Sequence, residues 1–248
     1  MSQWIYLLLV PAGVLAGITG SVAGLASLVS YPALLAMGLP PVTANVSNTV
    51  ALVFGGIGSV SASRVELAGR TRRMVPLAAA TISGGIIGGM LLMLAPAASF
   101  TYVVPWLVAG ASSAVLLPRR VRPRTPHRWQ RPVLYTGATL IGVYGGYFGA
   151  ASGVLLLALM LAMTDDTLPE IGASRNLLLG LANAVASVVF VIYGSVAWIA
   201  AAPLAIGFLI GGRLGPVITR RVPARPLQLM IAATGFGLAL DLAWQAYR

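Results

Sequence analysis

Few side chains in this 248-residue chain could make or break bonds. Cysteine is absent, histidine occurs once, and the five acids are Glu66, Asp165, Asp166, Glu170 and Asp241. That set cannot supply a thiolate nucleophile, a disulfide or a cysteine-based metal centre. His127 falls in the arginine-rich stretch 119–131, where a solvated imidazole is expected, not a ligand or a general base. The expectation is no enzyme, no catalytic residue, no metal site and no cofactor.

What remains is neutral polar groups and glycines embedded in apolar runs. Gly20, Ser21 and Gly24 lie in the segment GITGSVAG, and Gly149, Ser152 and Gly153 lie in GGYFGAASG. A helix broken at such a place exposes backbone N–H groups at its new N-terminus, and these with the helix dipole can hold a small anion without any charged side chain. Ser21 and Ser152 add hydroxyl donors. Asn45, Ser47 and Asn48 open one apolar run, and Arg175, Asn176 and Asn183 open another. Hydrocarbon penalises such groups unless they find partners. Asn176 and Asn183 stand two helical turns apart and so share one face. These twelve residues are the candidate substrate site, with interhelical glue as the competing role for the asparagines. Arg175 has two readings: capture of an anion, or an ion pair with Asp165, Asp166 or Glu170.

The elements that would position these residues follow from composition. Apolar residues make up 58% and charged residues 8% of the chain, where a soluble domain carries about a quarter charged. Soluble and disordered chains are both excluded. The net charge of +11 comes entirely from arginine, which in so apolar a chain reads as cytoplasmic retention and not nucleic-acid binding. The first apolar stretch has no basic n-region and reads as retained, not cleaved. Apolar runs fall at about 4–37, 44–63, 74–94, 99–117, 133–163, 172–193, 197–216 and 227–246, and all read as helix. The 34 residues of 4–37 would span roughly 51 Å as one helix against a hydrocarbon core of about 30 Å, so this run and 133–163 must be interrupted.

The two interruptions belong to an internal repeat. A shift of 129 superposes Gly20, Gly24 and Ala44 on Gly149, Gly153 and Ala173, and a shift of 127 superposes PLA and GGxxG at Pro76–Gly88 on the same pattern at Pro203–Gly215. The small-residue pairs Gly84/Gly88 and Gly211/Gly215 read as close helix packing. The chain divides into a first repeat, 1–118, a basic cytoplasmic linker, 119–131, and a second repeat, 132–248. Eight simple spans would put the loop carrying Arg213, Arg220, Arg221 and Arg225 opposite the other arginine-rich loops. Reading each long run as a helical hairpin puts every loop arginine on one side and leaves only Arg248 outside. Each half then holds about five helical pieces, so the second half is inverted relative to the first. The fold class expected is an all-α polytopic membrane protein of two inverted repeats, with 8 to 10 transmembrane segments and short, re-entrant hairpin arms.

The run GxxGxxxG at Gly17–Gly24 followed by YPALLAMGLP, the stretch NVSNTVALVFGGIGSVSASRVEL, and in the second half ASRNLLLGLANAVASVVFVIYGSVAW followed by PLAIGFLIGGRLG are similar to the sulfite exporter TauE/SafE family of membrane transporters. The resemblance covers nearly the whole chain in the family's order. It implies a multi-pass permease of the plasma (inner) membrane for small sulfur-containing anions such as sulfite or organosulfonates. The expected partners are the lipid bilayer and that anionic substrate, with no nucleic acid; a homo-oligomer is compatible. The alternative is an anion channel or a non-transporting membrane assembly subunit. Leu161 stands where Pro32 stands in the first half, a departure from the family's pattern that bears on substrate and not on membership.

Overall fold

A computed structural model describes residues 3–116, 127–219 and 225–247. The linker arginines from Arg119 to Arg124, with Arg220, Arg221 and Arg248, lie outside the described residues, as do the side chains of His127, Arg128 and Arg225. Among the described residues the chain is all helix, with no strand. A 3-10 turn, Gln3–Leu8, leads into α1 (Leu9–Ala23), α2 (Ala26–Ala36), α3 (Pro41–Ala62), a one-turn α4 (Arg64–Leu67), α5 (Thr71–Leu94) and α6 (Ala97–Leu116). The second part forms α7 (His127–Tyr147), α8 (Ser152–Met163), α9 (Leu168–Tyr193), α10 (Trp198–Thr219) and α11 (Arg225–Tyr247).

Both long apolar runs are broken, as their length requires. The breaks are tighter than the glycine-rich segments that announce them. In the first, helix continues through Gly17 and Gly20 and stops only at Gly24, whose φ of +80° puts it in the left-handed region. The Gly24 N–H donates to the Gly20 carbonyl and the Leu25 N–H to the Thr19 carbonyl, so the last turn closes on itself before α2 starts. In the second, the break is confined to 148–151, with Gly149 at φ +77° and Ala151 at φ +59°. The Tyr144 hydroxyl donates to the Ala150 carbonyl at 2.5 Å and pins this corner. The returning arms α2 and α8 have 11 and 12 residues, about 16 to 18 Å by helical rise, well short of a bilayer core.

Among the described residues four helices are long and apolar enough to cross a membrane: Ile5–Ala23, Arg72–Leu94, Leu168–Tyr193 and Trp198–Ile218. Their outward faces carry exposed Leu15, Ile87, Val188, Ile192, Ile206 and Ile210, a surface that water would not tolerate and lipid matches.

Glycine contacts give the direction of each helix pair. Gly13 sits against Leu204 and Gly207, and Gly17 against Gly211 and Gly212, so α1 and α10 run parallel with their backbones nearly touching. Gly84 against Thr139 and Gly88 against Tyr147 make α5 and α7 a second parallel pair. Gly85 on Ala182 and Gly89 on Ala186 align α5 with α9, and Gly55 on Phe208 and Gly58 on Arg213 align α3 with α10. In contrast α3 and α9 are antiparallel: Ser59 meets Asn176, Gly56 meets Gly180, and the Ser187 hydroxyl donates to the Thr49 carbonyl. The first helix of each part of the chain thus packs along a helix of the other part.

Candidate functional site

At the centre of the molecule the two breaks touch. A Cβ built on Gly24 would lie 2.6 Å from the Gly153 carbonyl carbon, and one built on Gly153 would lie 2.5 Å from the Gly24 Cα. No side chain fits between them. Tyr31 of α2 packs edge-on against Phe148 with centroids 5.3 Å apart, and Phe100 of α6 packs on the same ring at 5.9 Å, holding the second break in place.

Beside this contact lies a cavity of about 70 Å³. Against the roughly 30 Å³ that a water occupies in the liquid, that is room for a molecule of a few heavy atoms. Two matching stripes form its walls: Leu52, Gly55, Gly56 and Ser59 of α3, and Leu179, Gly180 and Asn183 with Asn176 of α9. Both follow the i, i+3, i+4, i+7 spacing of one helix face. Gly20, Ser21 and Gly24 line it from the first break, Gly149, Ser152 and Gly153 from the second, and Ala26 and Ser27 from the first turn of α2. The first turns of α2 and α8 therefore both open on the cavity, and first-turn N–H groups have no partner within their own helix.

Of the twelve candidate residues, Asn45, Ser47, Asn48 and Arg175 are not among those that line the cavity. Their bonds explain why. Asn45 donates from Nδ2 to the Tyr147 carbonyl at 2.9 Å, closing the end of α7. Ser47 accepts the Ala197 N–H at 2.9 Å. Asn48 donates to the Ser27 hydroxyl at 3.1 Å and accepts from Ser30 at 2.5 Å, tying α3 to α2.

Arg175 is 1% exposed. Its Nη2 donates to the Gly20 carbonyl at 3.2 Å and to the Ser21 carbonyl at 2.5 Å, and its Nε and Nη2 both donate to Asn176 Oδ1, at 3.1 and 2.8 Å. It neutralises the negative end of α1, much as Asn45 caps α7 from the other part of the chain. Two of the acids considered as its partners are engaged elsewhere. Arg70 pairs with Asp166 and, at 2.6 Å, with Glu170, and Arg73 reaches Asp166 at 3.1 Å. Glu170 also accepts the Thr167 N–H and hydroxyl, both at 2.8 Å, at the start of α9. Burial pulls the Arg70 guanidinium down, but the hydrogen bonds and charges of Asp166 and Glu170 outweigh it and hold it above its ordinary value.

The hydroxyls divide in a way composition could not show. Ser21 donates to the Gly212 carbonyl at 3.2 Å and Ser152 to the Gly149 carbonyl at 2.9 Å, so neither proton is spare. Ser27 and Ser59, which sequence reasoning passed over, line the cavity instead. A signal for Ser59 existed: it follows Asn48 by 11 residues, three helical turns, on the same face. A larger cavity of about 590 Å³ lies near the arginine-rich loops, lined by Arg70, Arg73, Arg131, Asp165 and Asp166 and floored by Ser174.

Lipid-matched helices around a small polar cavity, with two broken helices meeting at its wall, define a multi-pass membrane protein of the transporter class. Residues 9–242 match the sulfite exporter TauE/SafE family, and the chain belongs to that family of membrane transporters. It is 24% identical to a Sinorhizobium sp protein named probable membrane transporter protein ORF9, over 93% of this chain and 89% of the relative. It is likewise 24% identical to the probable membrane transporter protein YfcA of Escherichia coli (strain K12), over 94% and 87%. A probable membrane transporter protein of Haemophilus influenzae is 21% identical over 94% and 92%. No solved structure matches the chain.

Proposed function

We propose that this protein is a secondary transporter of small sulfur-containing anions, such as sulfite or organosulfonates, in the plasma (inner) membrane, and that it works through the cavity between the two breaks. The observation that carries the reading is the convergence of two half-helix N-termini, those of α2 and α8, on one small cavity lined by glycine, serine and asparagine. Two positive dipole ends, with the Ala26, Ser27 and Gly153 N–H groups that no backbone carbonyl takes, favour an anion, and a volume of about 70 Å³ suits a compact one. The family's name supplies the sulfur chemistry.

The halves 1–118 and 132–248 form an inverted repeat in this reading. Support comes from the helix directions: α3 and α9, which the repeat pairs, run antiparallel, while α1 with α10 and α7 with α5 make equivalent parallel contacts. α1–α2 and α7–α8 then enter from opposite faces as re-entrant hairpins and meet at Gly24 and Gly153. With the two hairpins, the remaining helices make up the 8 to 10 segments expected. Alternating access follows if either hairpin swings away from the contact and opens the cavity to its own side.

Flux through purified protein in liposomes tests this, with sulfite, sulfoacetate, taurine, thiosulfate and sulfate as the panel. Saturable flux with counterflow is expected for at least one sulfur anion. Flux of none of them, or linear flux without counterflow, would reject the transporter reading.

A further inference from the structure

The cavity's hydrogen-bond accounting leaves two lining hydroxyls, Ser27 and Ser59, as acceptors only, and a buried cation fixes the orientation of one of them, Ser59. Asn176 lies between Arg175 and Ser59: its Oδ1 accepts from Nε and Nη2 of Arg175, and its Nδ2 donates to Ser59 Oγ at 2.6 Å. A guanidinium has donors only, so the oxygen of the Asn176 amide must face Arg175 and the NH₂ must face Ser59. Ser59 is therefore an acceptor in that bond, and its proton points elsewhere. Ser59 is 1% exposed and lines the cavity, and among the described residues no protein acceptor takes its proton. Ser21 and Ser152 spend theirs on carbonyls, and Ser27, which accepts from Asn48 Nδ2, has no cation behind its asparagine to turn it.

We infer that the Ser59 hydroxyl is the side-chain donor that grips the anion in the central cavity, and that Arg175 and Asn176 are positioning residues that turn it there. This rests on the anion reading above and adds the contact that selects among anions. Ser59 stands on α3 opposite Asn176 of α9, so the donor and its orienting pair come from different parts of the chain and stay aligned only while those helices remain crossed. An anion with several acceptor oxygens can take the Ser59 proton while also accepting from the first-turn amides of α2 and α8. A single-atom anion such as chloride cannot reach them all. The ligand class is a compact oxyanion, a sulfite or sulfonate group.

The test uses the full chain in liposomes, with the panel oxyanion that native protein carries fastest as substrate and chloride as competitor. Ser59→Ala should raise the apparent KM about tenfold or more, the loss expected for one hydrogen bond to a charged group, and Ser59→Thr should restore most of it. Asn176→Asp is the second arm. Its carboxylate can only accept, so the Ser59 proton turns to it and leaves the cavity. Its KM should rise as in Ser59→Ala, and adding Ser59→Ala to it should change little further. Chloride should compete better against the substrate in each weakened variant than in native protein. Equal KM in native protein and Ser59→Ala, at normal thermal midpoint, overturns the inference and leaves the cavity reading standing. So does a fully additive loss in the double variant. No flux of any panel anion by native protein overturns both.

Discussion

With Nη2 on the Gly20 and Ser21 carbonyls and Nε on Asn176, Arg175 closes the C-terminal end of α1 from a distance of 155 positions in sequence. Arg175→Gln removes the charge and the fork together. The Gly20 carbonyl keeps the Gly24 N–H, but the Ser21 carbonyl is left without a donor, which costs on the order of 1–3 kcal/mol, so purified Arg175→Gln should show a lower thermal midpoint and lower membrane abundance. Arg175→Lys keeps a cation near the carbonyls but loses the two-point hold on Asn176. It should fold closer to normal while its apparent affinity falls as in Ser59→Ala. A thermal midpoint unchanged in Arg175→Gln would count against the capping role. That an arginine inside an apolar run needs partners was legible from residue type alone. Its partners were not, because backbone carbonyls become acceptors only where a helix ends, and the end of α1 lies a turn later than the glycines suggest.

At the scale of elements the glycines separate into two uses. Gly17, Gly84, Gly88 and Gly211 let helices approach backbone to backbone and Gly215 makes room for the Ser21 side chain, and the small-residue spacing announced close packing for the last four. Gly24, Gly149 and the contact at Gly153 make the breaks. Composition marks both uses alike, which is why the first break was expected to begin at Gly17 when helix in fact runs on to Ala23. Which glycines end a helix depends on whether a neighbouring backbone lies alongside, information that one strand of sequence does not carry. Substitution distinguishes the uses. Gly38→Ala and Gly69→Ala meet nothing within 4 Å and pay only the left-handed φ, about 1–2 kcal/mol. Gly24→Ala pays that and also meets the Gly153 backbone, so about 1–3 kcal/mol more is expected from the overlap. Gly153→Ala meets the Gly24 backbone without any φ penalty. Thermal midpoints should rank Gly38→Ala and Gly69→Ala above Gly24→Ala, and Gly153→Ala should lose transport. Equal midpoints for Gly24→Ala and Gly38→Ala would mean that the breaks do not meet.

For the whole molecule, the arrangement of helix directions and the arginine distribution must agree if the hairpins enter from opposite faces. Arg64, Arg70, Arg72, Arg73 and Arg131 cluster at the end where α3 finishes and α5, α7 and α9 begin. Exposed Tyr102, Tyr193, Trp198, Trp244 and Tyr247 gather at the other, where α6 and α10 begin and α9 and α11 finish. The positive-inside rule makes the arginine end the cytoplasmic one, and the aromatic rings mark the other end as a membrane–water interface without fixing its side. The chain has no native cysteine, so single cysteines report sidedness without background. A membrane-impermeant maleimide applied to intact cells should label Ala98→Cys and Ser195→Cys, and should label Arg72→Cys, Arg122→Cys and Arg221→Cys only after the cells are opened. The decisive position is 221. Eight simple crossings would put it outside together with 98 and would move 195 inside, whereas two hairpins keep it on the side of 72 and 122 and leave 98 and 195 outside. Labelling of Arg221→Cys from outside, with Arg122→Cys protected, would remove the inverted repeat. The two breaks would then have to be reached from one face, and a cavity that opens to either side by swinging one hairpin would lose its structural basis.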